Sequence, residues 1–280
     1  MTARLQDKVA FVTGAARGQG RSHAVRLAEE GADVIVTDIC GPVGDTGRFY
    51  GPATPEDLAE TVRLVEAAGR RAISYQADVR DYDALASGLA SAVAELGRLD
   101  IVCANAGIFQ FGDDVAETGI QDWADVIDVN LNGVFHTCKA AVPHMLAAGN
   151  GGSIVITSSD AGTKGFAKFG HYVASKHAVI GLMKTLAMEV AEQRIRVNVV
   201  APTNCNTPMI QNDAVWHLFR PDLETVTLEE FAESSGTLLA LPEPWVEPVD
   251  VSNAIVFLSS DEARFVTGVV FPVDGGSSII

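Results

Sequence analysis

The chain has 280 residues, 48% of them hydrophobic, and a formal net charge of −16. That is enough apolar material for a substantial core, which excludes global disorder. The excess of carboxylates argues against nucleic acid or an anionic membrane as a partner, because phosphate binding needs a basic surface.

The opening residues, MTARLQDKVAFVTG, lack a basic stretch followed by a long apolar run, so no signal peptide is expected. No apolar run approaches the roughly 20 residues needed to span a bilayer. Cys40, Cys103, Cys138 and Cys205 are widely spaced and form no CxxC pair. They are expected to be free thiols in a reducing compartment, with no metal site and a cytoplasmic address.

Strands are expected at 9–13, 33–37, 72–76, 101–104, 153–157, 196–200 and 269–272, rich in Val and Ile and in several cases apolar throughout. Such runs suit strands covered on both faces. Helices are expected between them, at 20–30, 55–68, 82–96, 123–148, 172–192 and 249–259, with Gly31, Gly69 and Gly97 at C-terminal positions that favour a left-handed residue. The alternation predicts an α/β fold: a Rossmann-type, doubly wound parallel sheet of about seven strands with helices on both faces. Residues 1–280 are expected to form one domain. Two segments interrupt the rhythm. The Gly- and Pro-rich stretch 40–55 is too long for an ordinary turn, and 207–248 carries Trp216, Phe219, Phe231 and Trp245. The second is expected to be a lid over an apolar substrate rather than a subdomain packing its own aromatics.

The first strand runs into Thr13-Gly14-Ala15-Ala16-Arg17-Gly18-Gln19-Gly20, and a helix follows. Gly14 allows the tight turn, Gly18 lets the backbone approach a pyrophosphate, and Gly20 lets helix and sheet pack closely. The helix N-terminus offers N–H groups to phosphate, with Arg17 and Gln19 beside it. No GK[ST] follows, which excludes a triphosphate P-loop. Asp38 ends the second strand, where a carboxylate accepts the ribose hydroxyls of NAD and repels the 2′-phosphate of NADP. Arg17 pulls towards NADP, but it is expected to turn to solvent, so NAD is expected. Asp78-Val79 and Asn105-Ala106-Gly107 follow the third and fourth strands, where open α/β sheets bind ligands, and Asp78 is expected near the adenine.

Tyr172 and Lys176 lie four apart in YVASK, on one helix face. A phenol in water ionises near pH 10, and an adjacent ammonium is expected to lower that value and make Tyr172 a base for an alcohol proton. Ser159, thirteen residues earlier at a strand end, is placed to bond the substrate oxygen. Asn130 is odd in the apolar stretch DVIDVNLNGVFH and is expected to mark a helix distortion or to hold a water on a proton path from Lys176. His171 is a candidate pocket residue. Asp160 is compatible with facing substrate or with a turn.

These motifs resemble the short-chain dehydrogenase/reductase family over nearly the whole chain: TGAARGQG, Asp78-Val79, ANAG at 104–107, Asn130, Ser159, YVASK and VDGG at 273–276. The resemblance implies NAD(P)-dependent oxidoreduction with Asn130, Ser159, Tyr172 and Lys176 as the tetrad. It also implies that Lys176 holds the nicotinamide ribose, and that the assembly is a homotetramer with the C-terminal strand near an interface. Pro202-Thr203 replaces the family's usual Pro-Gly; Thr207 matches the threonine that bonds the nicotinamide amide, and Cys205 stands beside the ring. The 40–55 loop and the WVEP segment at 245–248 resemble the carveol-dehydrogenase-like branch, associated with the redox cofactor mycofactocin. That resemblance implies tightly held NAD, reoxidised in place. The expected activity is interconversion of an apolar secondary alcohol and its ketone. The alternatives are an NADP-dependent ketone or 3-oxoacyl reductase and a non-catalytic NAD-sensing module.

Overall fold

The computed structural model describes residues 3–44, 46 and 49–280, so Asp45, Gly47 and Arg48 of the 40–55 segment, and Met1 and Thr2, lie outside the described residues. Seven parallel strands are each built from a short apolar run: β1 (Val9–Thr13), β2 (Asp33–Asp38), β3 (Ala72–Gln76), β4 (Ile101–Ala104), β5 (Gly152–Thr157), β6 (Ile195–Pro202) and β7 (Val270–Val273). They are ordered β3-β2-β1-β4-β5-β6-β7. The direction in which successive strands are added to the sheet reverses between β1 and β4, which pair in parallel with Val12 opposite Cys103. Ligands bind at the carboxyl ends of such a switch point, because the loops there diverge and leave a crevice.

Nine α-helices cover the sheet and its C-terminal edge: α1 (Gly18–Glu29), α2 (Pro55–Ala67), α3 (Tyr82–Leu96), α4 (Ile120–Ile127), α5 (Gly133–Ala148), α6 (Gly170–Glu189), α7 (Asp213–Phe219), α8 (Leu228–Gly236) and α9 (Pro248–Ser259), counted among the described residues. Alternate strand side chains feed two cores. Phe11 of β1 packs with Leu85, Leu89, Val134 and Met183 from α3, α5 and α6. Its neighbours Ala10 and Val12 pack with Leu27, Val65 and Ile255 from α1, α2 and α9. Full burial of each large side chain stabilises by about 2 kcal/mol, and both sheet faces contribute, hence the unbroken apolar strands. No helix among the described residues is long and apolar enough to cross a membrane.

The expected strands all form, within two residues at each end. The expected helix over 123–148 is instead α4 and α5 joined by a π-helical turn at Asp128–Asn132. The extra residue in that turn carries Asn130, the residue whose chemistry is out of place in an apolar helix. Helices α7 and α8, within 207–248, were not foreseen as elements. They are short, and their signal lies in caps rather than periodicity: Asn212 accepts from Val215, and Thr227 forms a capping box with Glu230.

The glycine turn after β1 shows why the sequence needs glycine there. Gly14 has a φ of +66°, and a Cβ on Gly20 would overlap the Gly14 carbonyl oxygen and come within 2.8 Å of the Asn105 amide nitrogen. The Gly20→Ala variant is therefore expected to lose about 2 kcal/mol of stability by overpacking. Thermal unfolding measures this, and an unchanged melting temperature would mean that α1 stands further from the turn than described.

Candidate active site

The loops beyond β1, β2, β4, β5 and β6 border one continuous cleft, open to solvent. One half is lined by Gly14, Arg17, Gly18, Gln19, Gly20 and Asp38. Helix α1 begins there with no side-chain cap, whereas α2 and α3 are capped by Thr54 and Asp81. Uncapped N–H groups and the helix dipole favour an anion. The Gln19 Oε1 atom is buried beside them without a hydrogen-bond partner. Gly18 has a φ of +55°, and a Cβ there would touch Thr207 at 3.3 Å. A bare backbone and unpaired backbone donors together fit a dinucleotide pyrophosphate.

Asp38 is buried at the end of β2, its Oδ2 accepting from Ala16 N at 3.1 Å and its Oδ1 from Cys40 N at 3.0 Å. Arg17 does not turn to solvent as expected. Its guanidinium donates to the carbonyls of Gly51 and Pro52 and lies 5.9 Å from the centre of the Tyr50 ring. The insertion supplies those carbonyls, and charge-assisted bonds to them outcompete free hydration.

At the strand end of β4, Asn105 donates its amide to Thr13 O at 3.0 Å, and the N–H groups of Asn105 and Ala106 both donate to Thr13 Oγ1. Asn130 is fully buried. Its Oδ1 accepts from Ile108 N at 2.8 Å, and its Nδ2 donates to Ile108 O at 2.9 Å and to Ser175 Oγ at 3.3 Å. Both amide hydrogens are thus committed, so the side chain pins the loop after β4 instead of holding a water through them. A Cβ on Gly107 would lie 3.3 Å from Asn130 Oδ1 and 3.6 Å from Lys176 Nζ, which accounts for the bare residue there.

The structure brings Ser159, Tyr172 and Lys176 together on the cleft wall. Ser159 ends the loop after β5, and α6 delivers Tyr172 and Lys176 one turn apart. Lys176 Nζ donates to Thr157 O at 3.0 Å and sits 5.5 Å from the centre of the Tyr172 ring. Burial pulls the Lys176 ammonium down to about 8. The Tyr172 phenol is not acidified in this state. Burial pushes it well above its ordinary value; a hydrogen bond with Ser159 opposes that, and Asp160 and Tyr50 add to it. The expectation weighed the ammonium charge but not the low polarity around both groups, which disfavours the charged form of each.

Thr207, Cys205 and Pro202 line the cleft beyond β6, as expected. Asp78 and Val79 do not line it. The Arg80 guanidinium takes both oxygens of Asp78, Oδ2 at 2.7–2.8 Å and Oδ1 at 3.1 Å, and Val79 is buried against α5 with its carbonyl 2.8 Å from His136 Nδ1. His171 does not line it either; its Nδ1 accepts from Tyr172 N at 2.9 Å. Of the four expected aromatics in 207–248, Trp216, Phe231 and Trp245 stack on one another, and of these four only Phe219 faces the cleft. The cleft's apolar end is made by Phe109, Phe166, Phe169, Met209, Leu218 and Phe219. Tyr50 was missed. Its hydroxyl accepts from Phe109 N at 3.0 Å, and no spacing rule marks a residue inside an insertion.

The model of the short chain dehydrogenase family matches residues 8–217. The chain belongs to the short-chain dehydrogenase family. It is 53% identical to (−)-trans-carveol dehydrogenase of Rhodococcus erythropolis, over 99% of each chain. The crystal structure of carveol dehydrogenase from Mycobacterium avium in complex with NAD is 54% identical and superposes over 100% of each chain with a TM-score of 0.98. A short chain dehydrogenase from Mycobacterium paratuberculosis, bound to NAD, is 44% identical, with a TM-score of 0.90 over 99% of this chain and 100% of the other.

For a short-chain dehydrogenase the buried lysine is an expense to the fold. Its folded pKa of about 8 lies below the ordinary lysine value of 10.5, so the unfolded chain binds more protons between those limits and stability climbs as pH rises through them. Replacing Lys176 with Met, allowing for the lost bond to Thr157, is expected to stabilise the protein at pH 7 by about 2 kcal/mol. The advantage should shrink as pH rises from about 8 to 10.5. Urea unfolding at a series of pH values reads this; a pH-independent difference would show that the ammonium is hydrated.

Proposed function

We propose that this short-chain dehydrogenase interconverts a secondary alcohol and its ketone, using NAD, with Tyr172 as the general acid–base. The observation that carries the reading is the convergence of Ser159, Tyr172 and Lys176 on the wall of the same cleft that receives the uncapped end of α1. Bound NAD supplies the hydride acceptor and a cationic ring. Gly14, Gly18, Gln19 and Gly20 hold its pyrophosphate, and Asp38 takes a ribose. The backbone at Asn105, Ala106 and Gly107 lies against sugar, and Pro202, Cys205 and Thr207 border the nicotinamide. Lys176 bonds the second ribose and places positive charge beside the Tyr172 phenol, offsetting the burial that keeps it protonated. Tyr172 then takes the alcohol proton, Ser159 fixes the reacting oxygen, and Asn130 keeps the loop beside them in register.

Residues 1–280 work as one domain, with 207–248 as a lid that closes the apolar end. Phe109, Phe169, Met209 and Phe219 suit an alicyclic or terpenoid alcohol, in keeping with the substrate named for the Rhodococcus relative. The NADP-dependent ketone or 3-oxoacyl reductase is the weaker reading, because Arg17 is engaged by Gly51 and Pro52 and Asp38 stands where a 2′-phosphate would lie. Exposed Phe265 and Ile279, near the C-terminal edge, support a homotetramer joined there. The insertion clasped by Arg17 is in keeping with NAD that stays bound; the resemblance to the carveol-dehydrogenase-like branch is what suggests mycofactocin as the external carrier, in the cytoplasm.

Tyr172→Phe should bind NAD as the parent does and lower kcat for alcohol oxidation at least about 100-fold. Full turnover would remove Tyr172 from the chemistry. Separately, protein purified without added nucleotide and then denatured should release close to one NAD per chain and no NADP; an empty protein, or one carrying NADP, would overturn the cofactor reading.

A further inference from the structure

Ser159 and Tyr172 belong to the reacting set. The other serine and threonine hydroxyls lining the cleft each place their proton on an acceptor inside the protein. Thr46 donates to Val43 O, Thr157 to Asn105 Oδ1, Ser158 to Lys176 O, Thr203 to Asp160 Oδ2 and Thr207 to Cys205 O. The two carboxylates of the cleft are also engaged. Asp38 accepts from Ala16 N and Cys40 N. Asp160 accepts from Ser159 Oγ and Ala161 N on one oxygen, and from Thr203 Oγ1 and Ser277 Oγ, in the C-terminal turn, on the other. One hydroxyl stands apart. Tyr50 lines the cleft, and no described residue accepts its proton.

Tyr50 comes from the insertion and is half-buried. The Arg17 guanidinium lies 5.9 Å from the centre of its ring, and its hydroxyl accepts from Phe109 N at 3.0 Å. The side chain therefore crosses from the glycine turn towards the apolar end of the cleft, with the hydroxyl at that end. Phe109 fixes what surrounds it. Its ring meets the Tyr172 ring edge-on, with 5.0 Å between centres, and the Phe169 ring at 5.3 Å. A phenol has one proton to donate and lone pairs that accept. Phe109 N takes a lone pair, so the proton is left for a group inside the cleft. Burial holds the phenol above its ordinary value, so it remains a donor through the neutral range. A donor set among aromatic rings is unfavourable until something accepts from it.

We propose that Tyr50 is a specificity-determining residue, donating a hydrogen bond to a second oxygen of the substrate, remote from the carbon that loses hydride. The preferred substrate is an alicyclic alcohol that carries a carbonyl, ether or hydroxyl oxygen besides the reacting one. Its hydrocarbon faces lie against Phe109, Phe166 and Phe169. A second group that can only donate, such as an ammonium, is disfavoured, because Phe109 N already holds the Tyr50 oxygen. The proposal rests on the reading of Tyr172 as the reacting acid–base given above. It makes the insertion part of the substrate site as well as a neighbour of the glycine turn.

The test mixes NAD-loaded protein with two isosteric pairs of alcohols, matched in stereochemistry. One pair is 4-methoxycyclohexanol and 4-ethylcyclohexanol; the other is 3-methoxycyclohexanol and 3-ethylcyclohexanol. Within a pair an ether oxygen replaces a methylene. Formation of reduced nicotinamide is followed in a single turnover, and the quantity read is the ratio of specificity constants, ether over ethyl, in wild type and in Tyr50→Phe. Loss of the donor should lower that ratio about tenfold in at least one pair. The change should come from weaker half-saturation by the ether with its limiting rate within about twofold, the pattern of a contact made equally in ground and transition states. A general disturbance of the wall, including the lost bond to Phe109 N, acts on both members and leaves the ratio unmoved. A ratio unchanged in both pairs therefore overturns the proposal, and so does equal slowing of both members, which would confine Tyr50 to shaping the wall or holding NAD. Tyr172→Phe separates this from the reading of the site, because it should abolish turnover of all the alcohols. If that variant turns over normally, or if wild type reduces no NAD with any of them, the site reading fails and the proposal with it; if Tyr172→Phe is inactive and the ratio ignores Tyr50→Phe, only the role of Tyr50 fails.

Discussion

The amide of Asn130 and the peptide of Ile108 exchange two hydrogen bonds inside the protein, and the geometry of the cleft hangs on that closed ring. An amide group matches a peptide group donor for acceptor, so the ring is satisfied without water, and losing either member would strand a buried polar group. Asn130 reaches Ile108 because the π turn shifts the helix by one residue. Its second hydrogen goes to Ser175, the residue before Lys176, and so ties α6 to the loop after β4. Gly107 lies between Asn130 and Lys176, where a side chain would crowd both. One side chain therefore sets the relative position of the β4 loop and the helix that bears Tyr172 and Lys176.

The electrostatics of that cluster differ from a simple ion-pair picture. Burial acts oppositely on the two groups, lowering the Lys176 ammonium and raising the Tyr172 phenol, so each is pushed towards neutrality. Such a site is costly to fold and useful to chemistry, because charge placed in it is poorly screened. A carboxylate one residue from Ser159 makes the phenol harder still to ionise, and it can be accommodated only because four donors saturate it.

Much of this was legible in the sequence. Continuous Val/Ile runs gave the strands because a doubly covered sheet leaves no polar face to encode. The turn at 14–20 was readable because three close approaches each demand glycine. Asn130 was readable as an anomaly, although its partner was not: Ile108 is 22 residues away, and only the parallel order of β1, β4 and β5 brings it near. Asp78 has a competing local partner. Arg80, two residues on, captures its carboxylate, and that competition was visible in the sequence. The aromatics of 207–248 misled because stacking among Trp216, Phe231 and Trp245 builds a small core of their own, leaving the cleft wall to Met209, Leu218 and Phe219. Tyr50 and the hub at Asp160 depend on insertions and on the chain terminus meeting the strand ends, which no periodicity encodes.

Arg17 and Asp38 illustrate how the insertion changes the meaning of a familiar loop. A guanidinium in a glycine-rich turn is ordinarily free to meet a phosphate. Here Gly51 and Pro52 offer it backbone carbonyls, and the Tyr50 ring lies beside it. The same tyrosine accepts a bond from Phe109 N, at the apolar end of the cleft. A single short path thus runs from the glycine turn through Arg17 and Tyr50 to the apolar end of the cleft. Asp38 stands on the other side of the turn with both oxygens held by backbone N–H groups, at Ala16 and Cys40, and Cys40 begins the insertion. The insertion is therefore anchored at its start beside Asp38 and near its end at Arg17. Its two ends straddle the glycine turn, so any movement that opens the insertion must disturb Asp38, Arg17 and that turn.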